Sequence, residues 1–173
     1  QKLTLFMNIL GHGNKNSLST LSHKDAENFL IKIPPFPLDT VLAAYYLKAT
    51  NVPYEQYLER LQARDQDFED VEMNLLKESG DYTKTRYQII ALSLKELMDI
   101  NSGFGDRLLF MSLLASHPIP RDLLDSYKNA GIVDKFIYNL KKYSLITDEN
   151  SSPPVGPTLS MHQSLQGVGL AYL

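Results

Sequence analysis

The chain has 173 residues, 43% of them hydrophobic and 21% charged, with no cysteine and a formal net charge of -3. That length and composition suit one domain, or two small ones, with a real core. The missing thiols exclude disulfides, thiolate metal sites and cysteine nucleophiles, and the slight acidity offers phosphate backbones no general attraction.

Residues 1–21 read as a linker or the end of a preceding domain. Leu3, Leu5 and Phe6 through Leu10 form a short strand or helix, and Gly11–Ser19 a polar loop. The run GHGNKNS (11–17) resembles a phosphate-binding loop in composition only. It lacks the GxxxxGK[ST] spacing that surrounds phosphates with backbone N–H groups and a lysine. Opening on Gln1 without a charged-then-apolar leader, the chain reads as a fragment.

Ser22 and Asp25 have capping-box spacing, and a short helix follows with Ala26, Phe29 and Leu30 inward until prolines stop it. In IPPFPLDTVLAAYYL (33–47), Pro37 suits the first helical position and Asp39 the positive end of the helix dipole. Leu38, Val41, Leu42 and Tyr45 mark an apolar face as far as about Ala49. Tyr54, Tyr57, Leu58 and Leu61 mark another short helix, and the nearby tyrosines read as packing. Residues 62–83 are acid-rich with a thin stripe of Val71, Leu75 and Leu76, and lack the spacing of a calcium loop.

Tyr87, Ile90, Ala91, Leu94, Leu97 and Met98 give a long amphipathic helix that ends at Asn101-Ser102-Gly103. Phe104–Ser116 is helical up to His117-Pro118, Pro120 starts a short helix, and Ile132–Leu140 forms a third. Ser144–Thr147 and Thr158–Met161 read as strands joined by a Pro/Gly-rich tip, and His162–Leu173 as a final helix. The fold class is mainly α: a small helical bundle over 22–83, then a winged-helix domain with a short β-hairpin over 84–173.

Two stretches carry a family resemblance. PFPLDTVLAAYYL resembles the GLPLA-type motif of NB-ARC proteins, and Met161-His162-Gln163 resembles their MHD motif. These are STAND-class nucleotide switches, which include plant disease-resistance proteins and the apoptosome scaffold. Pro35 stands for the usual glycine, Asp39 for the alanine and Gln163 for the aspartate. The resemblance implies that Pro37 packs on the adenine of ADP or ATP. It implies that His162 meets the β-phosphate of ADP and holds a closed state. Glutamine is a weaker helix cap than aspartate, and Ser160 is the alternative cap.

The resemblance further implies a P-loop domain upstream, partner-binding repeats downstream, and oligomerisation or signalling as output. Any hydrolysis would belong to the P-loop and Walker B residues outside this chain, so these residues alone are not an enzyme. Catalytic and metal-site motifs are absent: the four histidines lie apart, and Ser112 and Ser116 near His117 read as a helix end. No apolar run spans a bilayer, and the cysteine-free composition fits a cytoplasmic protein. Two other readings compete. One is a winged-helix DNA-binding regulator using the helix near Asp134–Tyr143, with Lys135, Lys141, Lys142 and Asn139. The other is a helical protein–protein module without a nucleotide role.

Overall fold

The computed structural model describes residues 1–11, 23–63, 81–114, 117–127, 130–149 and 157–172, grouped in two units, Gln1–Leu92 and Ser93–Leu173. Both are mainly helical, with one small antiparallel sheet in the second. The Ser22 cap, the polar loop after Gly11, most of the acid-rich run (64–80), Ser116 and the hairpin tip (150–156) lie outside the described residues.

The first unit contains α1 (Lys2–Gly11), α2 (His23–Ile31), α3 (Pro37–Thr50), α4 (Tyr54–Ala63) and the first part of α5 (Asp81–Ile100). The opening residues take the helical of the two forms that the sequence allows them. They form α1, which buries Phe6 and Leu10 and packs against α3 and α2. Two lysines fasten it. Lys2 Nζ donates to the carbonyls of Leu30 (2.5 Å) and Ile33 (2.6 Å) at the end of α2. Lys48 Nζ, on α3, donates to the Ile9 carbonyl near the end of α1 (2.8 Å). Each puts a cation at or near the C-terminal end of a helix, where the dipole concentrates negative partial charge. Burial pulls the Lys2 ammonium pKa below its ordinary value, although Asp39 opposes that shift.

An aromatic cluster forms the middle of this unit. Phe29 stacks on Tyr54 at 4.7 Å and meets Tyr57 edge-on at 5.6 Å, while Phe6 lies 5.4 Å from Phe29. Tyr46 meets Tyr57 at 5.2 Å. Such offset and edge-on pairs add to area burial because ring quadrupoles attract in these geometries.

In α3, Phe36 is the N-cap residue and Pro37 follows at the first turn, while Asn51 closes the helix at φ 55 with its N–H on the Leu47 carbonyl (2.8 Å). The inward face differs from the expected one. Asp39, Thr40, Leu42, Ala43, Ala44, Tyr46 and Leu47 are buried, whereas Leu38, Val41 and Tyr45 are only partly covered. A polar anchor decides the rotation: Asp39 turns inward to an arginine of α5, described below.

Beyond α5, the second unit follows the order helix, strand, helix, helix, strand, strand, helix. After the rest of α5 come α6 (Phe104–Leu114), β1 (Ile119–Pro120), α7 (Arg121–Ser126) and a 3-10 turn (Ala130–Ile132). Then come α8 (Val133–Lys142), β2 (Ile146–Glu149), β3 (Thr158–Met161) and α9 (Gln163–Tyr172). This is the winged-helix order, with the hairpin where the sequence suggests it. The sheet order is β1-β3-β2, all antiparallel. Two details depart from expectation. Ile119–Pro120 forms an unforeseen strand, pairing with Leu159 and Thr158. The strand expected at Ser144 begins at Ile146, because Ser144 instead ends α8 in the left-handed region (φ 56). The N–H groups of Ser144 and Leu145 close on the carbonyls of Lys141 (2.9 Å) and Leu140 (2.8 Å), which is a Schellman closure.

Phe104, Leu108, Met111, Val133, Phe136 and Leu140 fill the core of this unit, with Phe104 5.2 Å from Phe136. Leu159, Leu165 and Val168 carry that core onto β3 and α9.

Candidate functional site

Pro37 is exposed on the first turn of α3, beside a cleft of about 400 Å³ lined by Gln1, Lys2, Leu5, Pro35, Pro37 and Thr40. A second cleft, of about 520 Å³, adjoins it and shares Lys2 and Pro35. The cleft at Pro37 presents flat pyrrolidine and leucine surface beside a lysine and a threonine.

Two residues past Pro37, the Asp39 side chain is 0% exposed and receives both arms of Arg86 from α5: Nε to Oδ1 and Nη2 to Oδ2, each at 2.9 Å. The guanidinium carbon also lies 4.8 Å from the centroid of the Phe36 ring. This hydrogen bonding raises the Arg86 pKa further above its already high ordinary value. Stripping one partner from a buried ion pair costs about 3–5 kcal/mol, whereas a hydrogen bond to a charged group contributes about 1.5–3 kcal/mol. The balance keeps Arg86 on Asp39 and makes it a poor donor to a phosphate. Sequence reasoning placed Asp39 at the helix dipole and missed this partner. The available signal was an acid inside an otherwise apolar helix opening, which demands a cation somewhere.

His162 lies in the second unit, at the junction of β3 and α9. Its carbonyl accepts from the N–H groups of Leu165 (2.9 Å) and Gln166 (3.1 Å), and its Nδ1 accepts from Ser164 N–H (3.1 Å). The imidazole is therefore the side-chain cap of α9. A donor on Nδ1 leaves the ring proton on Nε2, and the ring is exposed. The expectation that Ser160 caps this helix is overturned, since its hydroxyl hydrogen-bonds Glu149 Oε1 across the hairpin instead. One N–H that an anion would use is thus already occupied by the histidine itself.

The remaining candidates separate. Ser112 is buried, with its Oγ against Gly169, and His117 is exposed; the two form no nucleophile–base pair. His23 is exposed in the first turn of α2, and His12 and Ser116 lie outside the described residues. Among the described residues, no cluster of three histidines, aspartates or glutamates suits a metal. No described helix is long and apolar enough to cross a membrane. On α8, Lys135, Lys141 and Lys142 are exposed, but Lys141 is held by Asp148 at 2.7 Å. Asn139, the base-reading type of residue there, is buried and donates to the Lys135 carbonyl (2.7 Å).

No protein-family description, curated protein or solved structure matches this chain.

Proposed function

We propose that the chain is the regulatory portion of an ADP/ATP-dependent switch of the NB-ARC type. Adenine packs on Pro37 in the cleft of about 400 Å³, and Nε2–H of His162 donates to the β-phosphate of ADP. A P-loop domain outside these residues holds the rest of the nucleotide and supplies whatever hydrolysis occurs. ADP favours a closed state because His162 contacts it there and not in the open state. Exchange for ATP removes that contact, shifts the population to the open form and leads to oligomerisation or signalling. This portion itself performs no bond-breaking step: it holds, orients and releases.

The observation that carries the reading is the His162 cap. The Ser164 N–H on Nδ1 fixes both the ring orientation and the tautomer, so the second nitrogen is a pre-set donor beside a helix N-terminus. One hydrogen bond to a charged oxygen contributes about 1.5–3 kcal/mol. His162→Ala should then weaken ADP binding by roughly ten- to hundredfold.

The test is the nucleotide released on denaturing the full-length polypeptide, wild type against His162→Ala and Pro37→Ala. ADP in the wild type, with less of it or more ATP in the variants, supports the switch. A wild-type protein that carries no nucleotide and takes up none ends the reading. A second reading, a helical protein-interaction module, draws on Leu109, Leu113 and Leu170, which are exposed on α6 and α9. It gains if neither substitution changes any activity.

A further inference from the structure

Asp39 is a carboxylate in the first turn of α3 with a fully buried side chain. A buried carboxylate persists only where charge and lone pairs are both compensated. Arg86 does both through a planar fork, at 2.9 Å to each oxygen. The same guanidinium lies over the Phe36 ring at 4.8 Å, a cation–π placement. One α5 side chain therefore grips α3 on either side of Pro37, at the N-cap residue and at Asp39. Within that grip, Thr40 donates its N–H and its hydroxyl to the Phe36 carbonyl, both at 3.3 Å. Pro35, Pro37 and Thr40 are the α3-side wall of the cleft.

We propose that Arg86 is a positioning residue for this cleft, fixing the angle of the Pro35–Pro37 wall and with it the affinity for a flat heteroaromatic ring. The proposal rests on the nucleotide reading for the identity of the ring and on the geometry alone for the wall. Arg86 does not touch the ligand. It acts through Phe36 and Asp39, and only a residue with both a fork and a flat face fills the role. Lysine keeps the charge and loses both.

The experiment compares wild type, Arg86→Lys and the double variant Asp39→Leu/Arg86→Met in the full-length polypeptide. The double variant replaces the ion pair with apolar side chains, an exchange that buried pairs often tolerate without loss of stability. Three quantities are read: Tm, hydrogen exchange at the Thr40 amide, and ADP retained through purification. The double variant should keep its Tm. Thr40 should exchange about tenfold faster or more in both variants, as local opening of the first turn becomes easier. ADP retention should fall about tenfold, because a wall held in its bound geometry binds tighter than one that must be ordered on binding. Unchanged Thr40 exchange in a folded double variant overturns the proposal, as does full rescue of exchange and retention by Arg86→Lys. If wild type retains no ADP, the nucleotide reading falls, and Thr40 exchange alone decides the positioning role.

Discussion

Gly169 on α9 lies so close to Ser112 on α6 that a Cβ added to it would stand 2.6 Å from Ser112 Oγ and 3.7 Å from Ser112 Cβ. The first distance is a clash and the second an ordinary contact. Gln166, one turn earlier, donates its side-chain amide to the Ser112 carbonyl at 2.8 Å and fixes the same approach. In the wild-type background, Gly169→Ala should destabilise by about 1–3 kcal/mol, as overpacked cores do. In a Ser112→Ala background the hydroxyl is gone and helix propensity takes over, worth up to about 1 kcal/mol in favour of alanine. The sign of Gly169→Ala should therefore reverse between the two backgrounds, and urea unfolding of the four proteins reads it. The same sign in both would mean that Ser112 Oγ is not what limits the approach.

His162 carries two separable roles. His162→Ala removes the cap on Ser164 and should cost about 1 kcal/mol of stability, whereas His162→Asn keeps a capping acceptor and should cost little. Both remove the imidazole Nε2–H, so both should lose ADP. Thermal unfolding and nucleotide content measured side by side separate cap from contact. If His162→Asn retains ADP as wild type does, the imidazole is a cap and nothing more.

Ser144 holds φ 56 at the end of α8, a conformation that costs an L-residue roughly 1–2 kcal/mol and glycine almost nothing. Ser144→Gly should stabilise by up to about 1 kcal/mol once the greater unfolded-state freedom of glycine is subtracted. That is a rise of about 2–4 °C in Tm for a chain of this size. A drop in Tm would mean that the serine side chain contributes a contact that outweighs the strain.

Tyr57 is fully buried, and its hydroxyl has no hydrogen-bond partner among the described residues. Burial pushes its pKa well above the ordinary value, with Tyr46 and Asp39 adding to the shift. Burial likewise carries Tyr54 to about 12, helped by Asp25 and Glu55. Unfolded tyrosines release their protons near pH 10, whereas these hold theirs in the folded state. Above about pH 10 the native state binds more protons than the unfolded one, so stability falls as pH rises. Lys2 opposes this over the range just below 10.5, since its folded pKa is lowered and the unfolded state there binds the extra proton. Urea midpoints at about pH 8, 10 and 11 should stay level and then drop. Tyr57→Phe should be neutral or stabilising by up to about 1 kcal/mol at pH 8 and should blunt the alkaline drop. An alkaline drop of undiminished size in that variant would place the titrating group elsewhere.

Local chemistry made much of this fold readable. Pro37 opens α3 as its fixed φ and missing N–H require, and Val133, Phe136, Ile137 and Leu140 put the core face of α8 where their spacing says. What escaped is non-local. Asp39 looks like a dipole-facing acid until Arg86, 47 residues away, is brought beside it. The apolar LTLFMNIL run does not say what will cover it, so the sequence leaves strand and helix both open there. A two-residue strand ending in proline shows no alternation to detect, and nothing in Ser144 announces a left-handed backbone. The candidate site divides the same way: Pro37 at a helix opening and His162 ahead of the last helix are placed by local pattern, but the cap on Ser164 and the grip of Arg86 show only in three dimensions.

The sheet order has a further consequence. β1 and β2 are its two outer strands, with β3 between them. β1 is only Ile119–Pro120, and proline has no N–H to offer an incoming chain. β2 carries Thr147, Asp148 and Glu149 exposed, two of them acids. Short, proline-bearing and charged margins resist pairing with the strands of another molecule. Among the described residues, the outer strands of this sheet therefore offer little for edge-to-edge association of one copy with another.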